Sequence, residues 1–488
     1  MRVFGLLYNP RSDRFPFLTR CSMVRTLFAV SLTLFALGAV SAAAAPPAAK
    51  GAGADRLDQE IDRLAAQIEP EVIACRRLIH EHPELSNREV QTGKLVAERL
   101  GKLGIAVKTG VAHTGVVGIL KGGKPGPLVA LRADMDALPV TEEVDVPFAS
   151  KVRTTYDGKE VGVMHACGHD AHVAVLLGVA EVLSRLKADL PGTVEFLFQP
   201  AEEGPPAGEE GGARLMIKEG VFHDPKPEAI FGLHVTPAFD VGQIGWRNGG
   251  MLAGADGLRI VVHGRQTHAA YPWRGLDPIV IASQIVIGLQ TIASRQIDIT
   301  EAPALITIGK IEGGVRENII PDDVTMLGTI RYLGPGMQKD IQDRIKRTAT
   351  SIAESAGAKA EVTITERVAL TFNDPALTSR MLPSLRRTAG DANVKEAQPS
   401  LGSEDFSYYQ KEIPGLFIWL GIKTPGADPA LFAANHSPRF RVDEAGLKLG
   451  VRALSRLTVD YMQAPAGPHH PGPLLPASPP TAGRRGSG

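Results

Sequence analysis

The sequence predicts an α/β fold of two domains: a main domain built on a mainly parallel central sheet, and a ferredoxin-like α+β domain inserted into it. Two patterns lead there. Apolar runs of strand length at 116–120, 128–133, 193–199, 230–234 and 416–420 alternate with helical stretches such as 57–80 and 171–186, and such alternation favours parallel strands joined by crossovers. Between 252 and 365 the order becomes strand, helix, strand, strand, helix, strand, which is the ferredoxin-like split βαβ. At 488 residues and 44% hydrophobic, the chain is long enough to bury a core in each.

Arg25 precedes an apolar run over 27–40, and small residues follow over 41–45. The run is shorter than the ~20 residues of a membrane span, so residues 1–42 read as a cleaved secretory signal peptide, with Met23 as an alternative start. A secreted or periplasmic location follows, with no membrane attachment after cleavage. Losing five arginines and one aspartate leaves 48 basic and 52 acidic side chains. That balance offers nothing to nucleic acid. Residues 57–80 have amphipathic helical spacing with Cys75 among the apolar positions, where a small buried thiol is expected rather than a disulfide to Cys167. Gly122-Gly123-Lys124-Pro125-Gly126 reads as a hairpin turn and not a phosphate loop, because no helix pattern follows. In the insert, alternation from Leu258 gives a strand, 277–293 a helix, 304–311 and 324–332 strands, 338–356 a helix and 360–365 a last strand. From 464 onward proline, glycine and serine dominate, the composition of a disordered tail.

The chemistry is concentrated in His165-Ala166-Cys167-Gly168-His169-Asp170-Ala171-His172, one thiol and three imidazoles in eight residues. Thiolate and imidazole together suit zinc, cobalt, manganese or nickel. A redox or buried cysteine beside surface histidines is the competing reading. Downstream, the strand Phe196-Leu197-Phe198-Gln199 leads to Glu202-Glu203. On extended backbone those side chains point opposite ways, so one binds metal while the other faces a water as general base; solvated loop acids are the alternative. His234 inside an apolar run and His436 near the end complete one thiolate, one carboxylate and three imidazoles, although each also reads as an ordinary buried histidine. Trp273, Phe406, Tyr408 and Tyr409 read equally as an aromatic acyl pocket or as packing residues.

Six motifs stand in order: Arg76-Arg77-Leu78-Ile79-His80-Glu81-His82-Pro83-Glu84-Leu85, Ala130-Leu131-Arg132-Ala133-Asp134-Met135-Asp136-Ala137-Leu138-Pro139, the octet, Gln199-Pro200-Ala201-Glu202-Glu203-Gly204, Gly402-Ser403-Glu404-Asp405-Phe406 and His436-Ser437-Pro438. With them the chain resembles, over about 57–462, the aminoacylase, hippurate hydrolase and auxin-conjugate hydrolase family, the amidohydrolase branch of the two-metal carboxypeptidases. The resemblance implies a zinc-peptidase-like catalytic domain at 57–251 and 366–462, with the insert 252–365 as a lid that also forms a homodimer. It implies two divalent ions on Cys167, His169, Glu203, His234 and His436, with Cys167 bridging. Glu202 would be the general base on the bridging water, Asp136 a carboxylate orienting an imidazole ligand, and His268 an oxyanion-stabilising residue often supplied across the dimer. Asn318 and Arg331 match the residues that hold the substrate carboxylate in relatives, although Arg331 also reads as a structural ion-pair residue, and Arg316-Glu317 is more charged than that segment leads one to expect. The implied activity is hydrolysis of N-acyl-L-amino acids to a carboxylic acid and a free amino acid. A dipeptidase or metallocarboxypeptidase on short peptides is the nearest alternative. Outside the class stand a catalytically inactive metal- or substrate-binding protein and a thiol redox protein.

Overall fold

The computed structural model describes residues 52–463 apart from 223–224 and 429–431. The expected signal peptide and the tail from 464 lie outside the described residues. Among them, an eight-stranded sheet runs in the order Ala106–Val111, Gly115–Lys121, Pro191–Gln199, Lys124–Asp134, Ala229–Asp240, Gly415–Lys423, Ile244–Trp246, Val394–Glu396. The four middle strands are parallel. Antiparallel pairings flank them on both sides, and the edge strand Val394–Glu396 pairs parallel with Ile244–Trp246, so the sheet is mixed. The parallel centre is buried on both faces, which is why its strands read as continuous apolar runs rather than alternating ones.

Helices Ala52–Glu81, His169–Arg185 and Leu447–Gln463 pack together over one face of the sheet, sharing Ile68, Leu176, Val179 and Leu454. The other face is covered by Gly212–Lys218 and Phe406–Glu412, which bury Met216, Phe406 and Tyr409 against Leu197 and Phe417. Phe406, Tyr408 and Tyr409 are therefore packing residues. Arg76 Nε lies 2.7 Å from Asp170, and His80 bridges Asp170 at 2.8 Å and Glu142 at 3.0 Å. This buried net ties the first helix to the start of helix His169–Arg185.

The glycine-rich turn does not make a hairpin. Strands Gly115–Lys121 and Lys124–Asp134 are not partners, because Pro191–Gln199 lies between them and pairs with both. The glycines allow close crossing of two chain segments instead. A Cβ on Gly122 would come within 2.3 Å of the Leu190 carbonyl, and one on Gly123 within 2.6 Å of the Ala188 carbonyl.

The insert is a four-stranded antiparallel sheet in the order Ala304–Glu312, Asp323–Tyr332, Gly254–His263, Lys359–Val368. Helices Pro278–Arg295 and Met337–Ser355 bury Ile281, Ile285, Ile341 and Ile345 against it in a separate core. The first is started by Asp277, whose carboxylate accepts the Ile279 and Val280 amide hydrogens, with Pro278 at the first helical position. Its opposite face leaves Ile279, Val280 and Ile287 exposed.

Arg132, buried in the strand Lys124–Asp134, is the main tie between the sheet and the segment at 404–405. It lies 2.6 Å from Asp134, 2.9 Å from Glu404 and 2.8 Å from Asp405, and donates to Gln199 at 2.8 Å. Removing one partner of a buried ion set strands the others without solvent. Arg132→Met is expected to cost about 3–5 kcal/mol of stability, read as a lowered urea midpoint. Arg63→Ala, which breaks an exposed pair with Glu60, is expected to leave the midpoint in place.

Candidate metal centre and substrate cavity

Cys167 and His169 flank Gly168, whose φ of +90° lies in the left-handed region. A Cβ at Gly168 would also come within 2.3 Å of a Val235 methyl. Only glycine lets the chain reverse here and begin helix His169–Arg185 while both flanking side chains face one locus. His234 joins them from strand Ala229–Asp240, with Nε2 3.3 Å from Cys167 Sγ. The ligand atoms of Cys167, His169 and His234 lie within 4.8 Å of one another, as do those of Cys167, Glu203 and His436, and those of His169, Glu202 and Glu203. The five side chains expected to hold metal therefore converge, with the sulfur common to two of these groups.

Hydrogen bonds sort the histidines. His234 Nδ1 is 2.7 Å from the Val235 carbonyl and His169 Nδ1 is 2.8 Å from the Asp136 carbonyl. A carbonyl only accepts, so both Nδ1 atoms carry hydrogen, which leaves both Nε2 atoms to face Cys167. His172 is fully used: the Val235 amide donates to its Nε2 at 2.9 Å, and its Nδ1 donates to Asp134 at 2.5 Å. His169 Nε2 is a buried atom without a hydrogen-bond partner. An unpaired nitrogen of this kind, together with the thiol, the carboxylate and the other imidazoles, fits divalent cations. His436 sits in a turn at φ +70°, its amide donating to the Ala166 carbonyl at 2.8 Å and its Nε2 3.0 Å from Glu203 Oε1. Asn435 fixes that turn by donating to the Cys167 and Val235 carbonyls.

Glu202 and Glu203 are not on extended backbone. Strand Pro191–Gln199 ends before them, Ala201 takes φ +52°, and the two acids occupy a turn. The turn is held by Asp136, whose carboxylate accepts the Glu202 amide at 3.0 Å, the Glu203 amide at 3.1 Å and the Ser86 hydroxyl at 2.7 Å. The hydrogen bond that orients His169 thus comes from the Asp136 carbonyl, while the Asp136 carboxylate, 3.3 Å from His169 Nδ1, mainly anchors the glutamate turn.

The electrostatics follow from burial and crowding. Burial, then the Glu404, Glu203 and Asp405 carboxylates, push Glu202 well above the usual carboxyl range. Burial and the carboxylates of Glu203 and Glu202 raise the Cys167 thiol well above its usual value. Burial would depress His169, but Asp134 and Asp136 outweigh it and lift the imidazole to about 10. Burial, then His172, hold His234 well below the usual imidazole value.

Over these residues opens a cavity of about 820 Å³, walled in part by Arg331, Phe239 and Trp419. Arg331 contacts the Ser403 hydroxyl and is not an ion-pair residue among the described residues. His268 and Asn318 do not line the cavity. His268 is exposed on the short strand Thr267–His268, with Nδ1 accepting the Ala270 amide at 3.0 Å, and Asn318 accepts the Ala269 amide through its carbonyl. Trp273 is exposed on the insert as well. Cys75 and Cys167 are both free and buried. Sequence reasoning assigned no role to Arg132, Glu404 and Asp405, although a charge inside the apolar run 128–133 was a signal. Trp419 and Phe239 gave none.

Residues 130–460 match peptidase family M20/M25/M40. The chain is 43% identical over 407 residues to thermostable carboxypeptidase 2 of Saccharolobus solfataricus, covering 83% of this chain and 99% of that protein. It is 40% identical over 395 residues to IAA-amino acid hydrolase ILR1-like 4 of Arabidopsis thaliana, covering 80% and 86%. Among solved structures it is similar to the YXEP protein of Bacillus subtilis, a dinuclear metal binding peptidase from the M20 family, with a TM-score of 0.69, 35% identity and coverage of 81% and 99%. The chain belongs to peptidase family M20/M25/M40 and is a metal-dependent hydrolase of its amidohydrolase and carboxypeptidase kind.

Proposed function

We propose that the protein is an exported amidohydrolase that cleaves the amide bond of N-acyl-L-amino acids, with N-acetyl, N-benzoyl or similar acyl groups, to a carboxylic acid and a free amino acid. The observation that carries this reading is one cavity with Cys167, Glu203, His234 and His436 at its base, Glu202 beside them and Arg331 on its wall. Cys167, His169 and His234 would hold one ion, and Cys167, Glu203 and His436 the other. Two divalent ions of manganese, zinc, cobalt or nickel supply Lewis-acid polarisation of the amide carbonyl and of the attacking water. Glu202 takes the proton from that water and delivers it to the leaving amine nitrogen. Its setting among Glu404 and Asp405 raises its affinity for a proton, as a group that must both accept and return one requires. Arg331 grips the substrate carboxylate with parallel N–H donors, and Phe239 and Trp419 offer the acyl group an apolar wall.

His268 and Asn318 act, on this reading, from the second subunit of a homodimer formed through the insert. Arg331 pairs with Ala255 at the hinge end of the insert sheet, whereas His263, five residues before His268, pairs with Asp323 at the far end. Eight strand residues separate those ends, roughly 27 Å at ~3.4 Å per residue. Exposed Ile279, Val280 and Ile287 provide apolar surface for a second copy.

Amino-acid release is expected from N-acyl amino acids, abolished by chelation and restored by metal add-back. Glu202→Ala should keep two ions by elemental analysis and lose about a thousandfold of kcat. Release from dipeptides alone would instead favour the carboxypeptidase activity named for the Saccharolobus relative, and unchanged turnover in Glu202→Ala would remove the base from the mechanism. Mixing His268→Ala with Glu202→Ala subunits is expected to recover part of the activity through hybrid sites; no recovery with demonstrated subunit exchange would place the whole site in one chain. For export, the N-terminus of protein collected outside the cytoplasm is expected at or within two residues of Ala43, and an intact leader in active protein would rule out cleavage.

A further inference from the structure

Arg331 has a second guanidinium beside it. Strand Lys359–Val368 carries a bulge against Gly254–His263: Ala255 faces Val368 and Asp256 faces Glu366, which leaves Arg367 as the extra residue. A bulge breaks the strict alternation of side chains and re-aims one of them. Here Arg367 and Val368, consecutive in the chain, both line the substrate cavity. The Arg367 side chain lies back over Gly257, where a Cβ would come within 2.9 Å of its Nε. Gly257 and Ala255 share a face of their strand, Ala255 lines the cavity, and Ala255 pairs on its other side with Arg331. The two arginines thus stand on the cavity face, to either side of one strand.

Among the described residues, no carboxylate forms an ion pair with Arg331 or Arg367. Glu366, next in the chain, is turned away to Arg214, Lys411 and Gln338. Burial, then the charge of Arg367, make Arg331 a weaker holder of its own proton. Two like charges set together without a counterion are unfavourable until an anion arrives. One guanidinium is enough for the single carboxylate of a neutral amino acid, so the pair has capacity for a second.

We propose that Arg367 is a specificity residue that binds a second carboxylate on the amino-acid half of the substrate. The favoured substrates are then N-acyl derivatives of acidic amino acids, aspartate or glutamate. This rests on the amidohydrolase reading above, with Arg331 taking the α-carboxylate.

The test compares kcat/KM of the metal-loaded enzyme on N-acetylglutamate and N-acetylglutamine, and on N-acetylaspartate and N-acetylasparagine, pairs that match in shape and differ in charge. The wild type is expected to prefer each acid over its amide by about ten- to hundredfold, the range of a charge-assisted hydrogen bond. Arg367→Met should bring both ratios close to one, and Arg367→Glu should reverse the order in favour of N-acetyllysine over N-acetylglutamate. Equal rates within each pair in the wild type, or an acid preference that survives Arg367→Met, would overturn the proposal. So would a loss in Arg367→Met that is the same for acid and amide, because Arg367 would then share the α-carboxylate. Hydrolysis of the amides separates these outcomes from failure of the amidohydrolase reading, in which none of the four compounds is cleaved.

Discussion

Negative charge packed out of reach of water is the constraint around which this protein is organised. Asp134, Asp136, Glu404 and Asp405 are buried, and Glu202 and Glu203 are nearly so, all around one thiol. Carboxylates at such distances in a medium of low polarisability repel strongly, and each needs a specific partner. The chain supplies some. Arg132 reaches Asp134, Glu404 and Asp405. Backbone amides serve others: those of Glu202 and Glu203 donate to Asp136, that of Ala213 to Asp405 and that of Phe406 to Glu404. What these leave uncovered is concentrated at the Glu202 and Glu203 carboxylates, which converge with Cys167 and His169. A cation there would complete the charge balance, so binding and stability draw on the same surplus.

The parallel centre of the sheet explains why these groups meet. Asp134 ends strand Lys124–Asp134, Glu202 follows strand Pro191–Gln199 and His234 lies within strand Ala229–Asp240, and these strands point the same way. Their carboxyl ends open on one crevice, where α/β sheets generally place ligands. Within the octet, identical side chains then take different parts according to their second ring nitrogen. His169 gives Nδ1 to a carbonyl and keeps Nε2 for the site. His172 spends both nitrogens on protein groups and serves to lock Asp134 and Val235 in place. His165 is buried with neither nitrogen paired, and burial presses it to about 3, so it is neutral.

Much of this was legible in the sequence because it is local. Strand-length apolar runs, helical spacing and the thiol with its neighbouring imidazoles are all read within a window of a dozen residues. The rest depends on long-range partners. No local pattern tells that Pro191–Gln199 will lie between two strands joined by a glycine-rich turn, because the reason is close contact with the backbone of residues 188–192. The divergence of Glu202 and Glu203 was expected from strand alternation, yet it arises from a turn that an aspartate 66 residues away holds in place. Arg132 and Asp405 are 273 residues apart, and only the fold brings them together. Phe406, Tyr408 and Tyr409 have the composition of a ligand wall and the position of a core, whereas Trp419, in an apolar strand that reads as pure core, faces the cavity.

The insert divides the residues expected to touch substrate into two sets, and the division follows from sheet geometry. Arg331, paired with Ala255 at the start of the insert sheet, lines the same cavity as Cys167 and Glu203 within one chain. His268 and Asn318 sit on the small strand pair beyond the far end of the same sheet. An antiparallel sheet backed by two helices is stiff along its strands, and it cannot fold back to bring that end to its own cavity. Those two residues can therefore serve a metal centre only by rotation of the whole insert about its junctions or by serving the centre of a second copy. The proposed homodimer would also cover exposed Ile279, Val280 and Ile287 of helix Pro278–Arg295, which rotation of one chain alone would leave in water.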